Sequence, residues 1–339
     1  MFVDGNYLAA RIAGTTTNSA YPIKWISCAG KAEARLNQMR GCVSVENGEA
    51  SLPSTSGYMQ NAPMLVNVSF GSFRPTGNIS FYFAFANGSC LKFLDVKSTD
   101  WTGGVITNME AAFASCKTIE ILDLSWMNVS GVSNFTRAFS DSFSLRHVEV
   151  SAWDVSAATS LALLFSGCCS LKDMDVSRWD VSSCQNFSAV FNQCNSLSNI
   201  DVSGWDTSAG TNFGSMFNYC SALEAVDISG FDLGNATTAT ALAGMFDNCA
   251  VLSSLIGRKK VASDGSINGS TAFWQKGPKV SLNLSSPTML DHDSLMFLMY
   301  WVSDLTGSTA QTLTLGATNL AKLTADEKAI ATAKNWTLA

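Results

Sequence analysis

The chain has 339 residues, of which 47% are hydrophobic and 14% are charged, and its formal net charge is −6. An acidic chain with few basic runs is a poor match for a phosphate backbone, so we expect no nucleic-acid partner. The longest apolar stretch, residues 295–302, is too short to span a bilayer, so we expect no membrane insertion. The first 14 residues have neither the basic start nor the apolar run of a signal peptide, so we expect no export signal.

One aromatic position recurs along most of the chain. Its successive intervals are 27, 28, 26, 26, 26, 26 and 29 residues. The position is filled by Tyr58, Phe85, Phe113, Phe139, Phe165, Phe191, Phe217 and Phe246. A period of this length with one residue type at each place predicts an α/β solenoid, here of about eight coils.

The repeat divides the chain into three segments. Residues 1–57 show no repeat and are predicted to be an N-terminal cap or attachment segment, because the end of a coil array needs covering. Residues 58–260 are predicted to form the solenoid. Residues 261–339 are predicted to form a Gly/Ser-rich linker and a small α/β C-terminal cap.

Each coil carries the same pair of local patterns. An apolar pair at i, i+4, such as Phe187 and Phe191, predicts a short helix. Alternating apolar residues then predict a short parallel strand, as at Leu197, Ile200 and Val202. A turn follows, and the next coil begins.

The C-terminal segment shows its own start and stop signals. Helical spacing between Leu295 and Leu305 follows Asp293, which is predicted to cap that helix. Thr324 and Glu327 form a capping box that opens a helix to about Lys334. Alternation predicts two short strands, at residues 312–315 and 336–338.

Five cysteines lie three residues after a repeat phenylalanine. They are Cys116, Cys168, Cys194, Cys220 and Cys249. A row of small side chains at one place per coil predicts buried free thiols, although neighbouring coils would bring them close enough for oxidation. The sequence contains neither a CxxC pair nor a Cys/His cluster, so we expect no metal site and no cofactor.

Six carboxylates share one strand position between two inward residues, so they are predicted to face outward. They are Asp95, Asp123, Glu149, Asp175, Asp201 and Asp227. Two charges about 5 Å apart repel by roughly 0.8 kcal/mol in water, so the row needs partners. Two interpretations stay open: bonds to backbone or serine groups of the neighbouring coil, or a face that binds a cation or ligand. A uniform row offers no differentiated acid and base, so we predict no catalytic residues and no enzyme.

A second set of aspartates follows a row of aromatic residues. The pairs are Trp153-Asp154, Trp179-Asp180, Trp205-Asp206 and Phe231-Asp232. The aspartates are predicted to accept backbone N–H groups two residues later, and the rings to be core, with sugar stacking as the alternative. The two histidines, His147 and His292, are too isolated to form a catalytic triad.

The repeat F-x-x-C-x-S-L-x-x-h-D-V-S-x-W-D-V/T-S resembles the 26-residue, BspA-like leucine-rich repeat of bacterial surface proteins. Residues 165–182, 191–208 and 217–232 carry the pattern most fully, and the resemblance covers roughly residues 80–257. It implies a leucine-rich-repeat solenoid and a role in adhesion or binding.

Residues 312–339 are similar to the endings of repeat proteins in gut bacteria and in their phages. With the expected lack of an export signal, this implies a phage virion protein, tail-associated, that attaches to host cells. The expected partners are a host or bacterial surface protein or glycan, other virion proteins and a possible homo-oligomer. The alternatives are a bacterial cell-surface adhesin and a virion scaffold or decoration protein without a ligand.

Overall fold

The computed structural model describes residues 26–28, 44–47, 66–70, 77–96, 99–257 and 277–339. The chain divides into two compact units, Met1–Ala158 with Leu164–Met174, and Thr159–Leu163 with Asp175–Ala339. Each unit contains coils joined by parallel pairing of short extended segments, so the predicted solenoid is confirmed. Tyr58 and the linker residues 261–276 lie outside the described residues.

The first unit is a stack of short parallel strands. These are β1 (Ile26–Cys28), β2 (Ser44–Asn47), β3 (Asn67–Phe70), β4 (Ile79–Ser80), β5 (Phe93–Val96), β6 (Ile106–Asn108), β7 (Ile121–Asp123) and β8 (His147–Glu149). One sheet has the order β1-β2-β3-β5, while β4 pairs with β6 and β7 with β8. Because β1 and β2 pair in parallel with this ladder, coil-to-coil stacking already begins within residues 1–57.

The second unit combines further coils with the C-terminal cap. Its elements are β9 (Ala225–Asp227), β10 (Ser254–Ile256), β11 (Leu282–Asn283), α1 (His292–Trp301), β12 (Gln311–Thr314), α2 (Gly316–Leu320), α3 (Ala325–Thr332) and β13 (Trp336–Leu338). The coil strands β9 and β10 pair in parallel. The cap has a parallel sheet of order β11-β12-β13.

The arc that leads into each strand differs from the prediction. The i, i+4 spacing predicted a short helix, but residues 77–96 and 99–257 contain no α-helix. In the arc of residues 187–194, Cys194 N–H donates to Phe191 O at 3.1 Å, which is the bond of a tight turn. Ala189 and Gln193 are left-handed, with φ of 54° and 61°, and such residues cannot continue a right-handed helix.

The turn arcs bind the coils to one another. Alternate amides of one arc donate to carbonyls of the next: Ala189 N–H to Gly214 O and Phe191 N–H to Met216 O, both at 2.9 Å. A helix would use these amides internally, at i→i−4, and would leave none for the neighbouring coil. The turn arc therefore forms a second hydrogen-bonded wall opposite the strands, and its side chains still recur every four residues.

Stacked aromatic rings fill the interior of each unit. In the first unit the ring centroids of Phe85–Phe113, Phe113–Phe139 and Phe139–Phe165 lie 4.9, 5.5 and 5.1 Å apart. In the second unit Phe191–Phe217 and Phe217–Phe246 lie 5.5 and 5.4 Å apart. All of these rings are buried, so the repeat aromatic is the spine of the core.

The C-terminal cap agrees with most of its prediction. Thr324 and Glu327 form the capping box at the start of α3, and β12 and β13 lie where alternation placed them. The helix α1 is present, but its cap is Asp291 rather than Asp293, because the Asp291 carboxylate accepts from Ser294 N–H at 2.8 Å. Asp293 lies in the first turn instead.

Candidate binding surface

The outer face of the strands carries the carboxylates that were predicted to face outward. In β7, buried Leu122 separates exposed Ile121 from exposed Asp123. In β8, buried Val148 separates His147 from Glu149. Asp123 and Glu149 are register partners on neighbouring strands. The first unit also places Asp95 on β5, and the second unit holds Asp175, Asp201 and Asp227.

Each of these carboxylates with a serine two residues later accepts two hydrogen bonds from that serine. Asp123 accepts from the Ser125 N–H at 3.0 Å and from its hydroxyl at 2.7 Å. The same two bonds join Glu149 to Ser151, Asp175 to Ser177, Asp201 to Ser203 and Asp227 to Ser229. Serine and backbone partners were predicted correctly, but they belong to the same coil rather than to the neighbouring one.

For Asp175, these bonds favour the ionised carboxylate. The Ser177 hydroxyl, followed by the Ser177 N–H, lowers the pKa of Asp175 below its ordinary value of 3.8. Because the bonds stabilise the charged form, the exposed carboxylate is an anion at neutral pH. The strand face therefore presents fixed negative charges whose orientation is set by the turn.

A second outward column lies two residues before the carboxylates and changes from coil to coil. In the first unit it is filled by Phe93, Ile121, His147 and Asp173. His147 Nδ1 and Asp173 Oδ1 are hydrogen-bonded to each other. In the second unit the column is filled by Asn199, Ala225 and Ser254. The side chains of Phe93 and Ile121 are 64% and 66% exposed, which a sequence pattern of inward and outward places does not single out.

Basic residues precede the variable column in the first unit. Lys92, Arg146 and Lys172 are exposed there, and Glu120 takes the remaining place. The Arg146 guanidinium lies 3.8 Å from the Glu120 carboxylate, so this acidic residue is countered within its own chain. In the second unit the corresponding places are Ser198, Glu224 and Ser253, none of which is basic.

The Trp-Asp turns are structural, as predicted. Asp180 accepts the Ser182 N–H at 3.0 Å, and Asp206 accepts the Ser208 N–H at 2.9 Å. Asp154 and Asp232 accept equivalent bonds. Trp153, Trp179, Trp205 and Phe231 are buried, so these rings have no face for a sugar.

The cysteine row has a role that composition did not reveal. The Cys220 thiol donates to Phe191 O at 3.1 Å, and the Cys249 thiol donates to Phe217 O at 3.0 Å. Cys116 and Cys168 make the same bond in the first unit, to Phe85 O and Phe139 O. The eight cysteines between residues 90 and 249 are free. Burial raises the pKa of Cys116 and of Cys249 to about 12, so these thiols are poor nucleophiles.

The described ranges contain no cluster of three or more His, Cys, Asp or Glu side chains that would suit a metal ion. In the same part of the chain, no helix has the length and apolar character needed to cross a bilayer. His147 and His292 each pair with a carboxylate, Asp173 and Glu327, and both pairs are partly exposed.

Comparison with known proteins gives a family match. Residues 79–199 and 159–276 match one family model, described as "Mycoplasma protein of unknown function, DUF285", and together they cover more than half of the chain. No protein with a curated description matches the sequence significantly.

Two solved structures are similar in outline. An internalin (inlF) from Listeria monocytogenes is 14% identical with a TM-score of 0.32, over 92% of this chain and 89% of that one. The TLR13–ssRNA13 complex is 14% identical with a TM-score of 0.30, over 86% of this chain. The alignment covers 43% of the TLR13 chain.

Proposed function

The chain belongs to this DUF285 family, and we propose that it is a non-enzymatic binding protein of a phage virion, tail-associated, which presents its strand face to the host surface. The observation that carries the binding role is the contrast between the two sides of each strand. Inward positions hold the same kinds of residue in every coil, whereas the outward column beside the carboxylates varies. A constant frame with variable exposed residues is how repeat proteins build extended binding surfaces.

The second unit offers the simplest ligand-binding face. Asn199 and Ala225 lie in its variable column, beside Asp201 and Asp227. Their neighbour Glu224 adds another exposed carboxylate. An acidic and amide-bearing face suits a ligand that supplies hydroxyl or ammonium donors, such as a cell-surface glycan or a basic protein surface.

The placement in a virion is supported by the resemblance of residues 312–339 to endings of repeat proteins in phages of gut bacteria. Mass spectrometry of purified virions tests it. We expect the protein to co-purify with the tail fraction through a density gradient. Absence from virions together with presence on a bacterial envelope would replace this proposal with the cell-surface adhesin.

A binding assay tests the face itself. The full chain should bind host cells saturably, and Asp201→Asn should weaken binding several-fold because it removes one charge. Asparagine retains the acceptor oxygen for the Ser203 bonds, so the turn is kept. Tyr219→Asn is the matched control: Tyr219 is exposed on the turn arc and left-handed, with φ of 59°, which asparagine tolerates.

The outcomes of that assay separate the remaining functions. Host cells that show no saturable binding by the unmodified chain would favour a scaffold without a ligand. Equal weakening by Asp201→Asn and Tyr219→Asn would place the contact elsewhere. Turnover of a host polysaccharide that is lost in Asp175→Asn would overturn the non-enzymatic assignment.

A further inference from the structure

Two large apolar side chains are exposed side by side on the outer face of the first unit. Phe93 on β5 is 64% exposed, and Ile121 on β7 is 66% exposed. They occupy the same strand position in consecutive coils. β5 and β7 are neighbouring strands, so the two side chains form one patch on this face. Exposed apolar patches rimmed by polar residues mark interaction sites, and the charges around this one decide which partner fits it.

Charges of opposite sign rim this patch on its two sides. Two residues after the apolar column, roughly 7 Å along each strand, the acidic column holds Asp95, Asp123 and Glu149. One residue before the apolar column, the basic column holds Lys92 and Arg146. We call these three columns, with the apolar pair at the centre, the mixed face.

Glu120 is the one acidic residue in the described basic column of the mixed face. It lies 3.8 Å from Arg146 and is countered there. The next coil continues the basic column with Lys172. The mixed face is therefore positive along one long edge and negative along the other.

This arrangement is self-complementary under one symmetry operation. A two-fold axis that runs along the stacking direction exchanges the two edges, so Lys92, Arg146 and Lys172 face the acidic column of the second copy. Glu120, which pairs with Arg146 in its own chain, is the one member of the basic column that opposes a carboxylate. The same axis places the two apolar columns against each other. A two-fold axis along the strands would instead oppose like charges. Interfaces between identical subunits related by a two-fold axis need this kind of self-complementarity.

We infer that the mixed face is the contact between two copies of this chain, packed strand face to strand face with parallel stacking directions. In this dimer Arg146 opposes Glu149 of the second copy, and Lys92 opposes Asp95. Phe93 and Ile121 are buried at the centre. This contact lies in the first unit and does not depend on the proposed host binding, which uses Asp201 in the second.

The size of the mixed face sets the expected strength of the dimer. Four coils at about 4.8 Å each give a strip roughly 15–20 Å long, which is smaller than the standard interface of about 800 Å² per partner. The dimer should therefore be weak and dependent on concentration. Because its rim is ionic, salt should weaken it.

Analytical ultracentrifugation of the full chain tests the dimer. We expect a dimer fraction that rises between about 1 and 200 μM protein and that falls when salt is raised to about 0.5 M. Ile121→Ser should weaken association about tenfold or more, since it removes the apolar centre and leaves every charge. Melting temperature and circular dichroism establish that each variant is folded.

A charge-reversal pair tests the symmetry. Arg146→Glu alone and Glu149→Arg alone should each abolish the dimer, because each opposes like charges across the axis. Mixed in equal amounts, the two variants should form a heterodimer, because opposite charges then face each other at both contacts. If either variant fails to fold, the pair Lys92→Glu and Asp95→Lys provides the same mixing test two coils away.

Three results would overturn the inference. They are an unmodified chain that stays monomeric at every concentration, a dimer that is insensitive to Ile121→Ser, and a mixture of the two variants that stays monomeric. Host binding is read out separately through Asp201→Asn, so failure of the dimer leaves the proposed function standing, and the reverse also holds.

Discussion

In five coils, the small side chain three residues after the buried repeat phenylalanine donates a hydrogen bond to the preceding coil. After Phe85 this place is held by Gly88, which has no side chain. The acceptor is the repeat phenylalanine carbonyl of the preceding coil, which also accepts an amide of its own turn. Phe191 O, for example, accepts from Cys194 N–H at 3.1 Å and from the Cys220 thiol at 3.1 Å. At one coil serine replaces cysteine, and the Ser142 hydroxyl donates to Phe113 O at 2.8 Å. The position thus selects a small donor, and sulfur is one of two solutions that this chain uses.

If the Cys220 thiol acts as a hydrogen-bond donor, two substitutions at this residue should differ in their effect on stability. We expect Cys220→Ala to lower the free energy of unfolding by about 1–2 kcal/mol, because it removes the donor and leaves a small cavity. Cys220→Ser should cost less than about 1 kcal/mol, because the hydroxyl donates as Ser142 does. Urea unfolding followed by circular dichroism measures both. Cys169→Ser, at a half-buried site, is the control, and equal losses for both Cys220 variants would refute the donor role.

Two left-handed glycines in the turn arcs should differ in how well they tolerate alanine. Gly167 has φ of 78°, and a Cβ added there would lie 2.7 Å from Asp141 Oδ1 and 3.2 Å from its Cα. Gly244 has φ of 65°, and the nearest atoms to an added Cβ are side-chain atoms at 3.4 Å. Alanine in the left-handed region costs about 1–2 kcal/mol at either site, offset in part by the stiffer unfolded chain.

We therefore expect Gly167→Ala to destabilise the protein by about 2–3 kcal/mol and Gly244→Ala by about 1 kcal/mol. Thermal melting of the two variants side by side gives the comparison. Each is the other's control, because the backbone change is the same and only the neighbouring coil differs. Equal effects would mean that the contact with Asp141 is unimportant.

Among the elements, the predicted strands formed in some coils, whereas the predicted helix did not form in any described coil. Leu197, Ile200 and Val202 are buried as the pattern predicted, but residues 197–202 pack inward without forming a regular strand. The i, i+4 spacing of Phe187 and Phe191 fits both a helix and two successive turns, since each returns the chain to the same side after four residues. What decides between them is the hydrogen bonding of alternate amides to the next coil, which periodicity does not display.

The candidate surface was also predictable only in part. The outward position of Asp123 and Glu149 follows from the buried neighbours Leu122 and Val148. Their serine partners sit two residues later in the same coil, and the sequence was compatible with partners in either coil. The exposure of Phe93 depends on which neighbours cover it, so only the three-dimensional arrangement reveals it.

The pKa of Asp175, where the strand position meets the turn, can be tested by substitution. The Ser177 hydroxyl is the largest cause that lowers the pKa of Asp175, so Ser177→Ala should raise that pKa toward its ordinary value of 3.8. A carboxyl whose pKa is lower when folded stabilises the fold above its unfolded pKa, and this stabilisation is lost as pH falls through the folded pKa. The variant should therefore show a smaller loss of stability on acidification below about pH 4.

Carboxyl-carbon NMR of ¹³C-labelled aspartate measures this titration. Asp180 is the internal control, because its lowered pKa depends first on the Ser182 hydroxyl and should not change in Ser177→Ala. An unchanged Asp175 titration in the variant would show that the hydroxyl bond does not hold the carboxylate.

A stack of coils has apolar ends that must be covered. In the second unit the helix α1 covers the last described coil. Ser294 Oγ accepts from Leu255 N–H at 2.8 Å, and Asp291 N–H donates to Ser253 O at 2.7 Å. Buried Phe297 packs where Gly257 ends that coil, so a residue without a side chain is required there.

A single methyl group at this contact should therefore uncouple the cap from the coil. The Cβ of Gly257→Ala would lie 1.9 Å from a ring carbon of Phe297, which is also held by stacking on Trp301 at 5.1 Å. We expect a loss of about 1–3 kcal/mol, faster hydrogen exchange at Leu255 N–H and increased binding of an apolar dye. Gly77→Ala is the matched control, because no atom of the described residues lies within 4 Å of the Cβ it adds. Adding Phe297→Leu to Gly257→Ala should recover part of the stability if the overlap is the cause, whereas purely additive losses would contradict this account of how the cap docks.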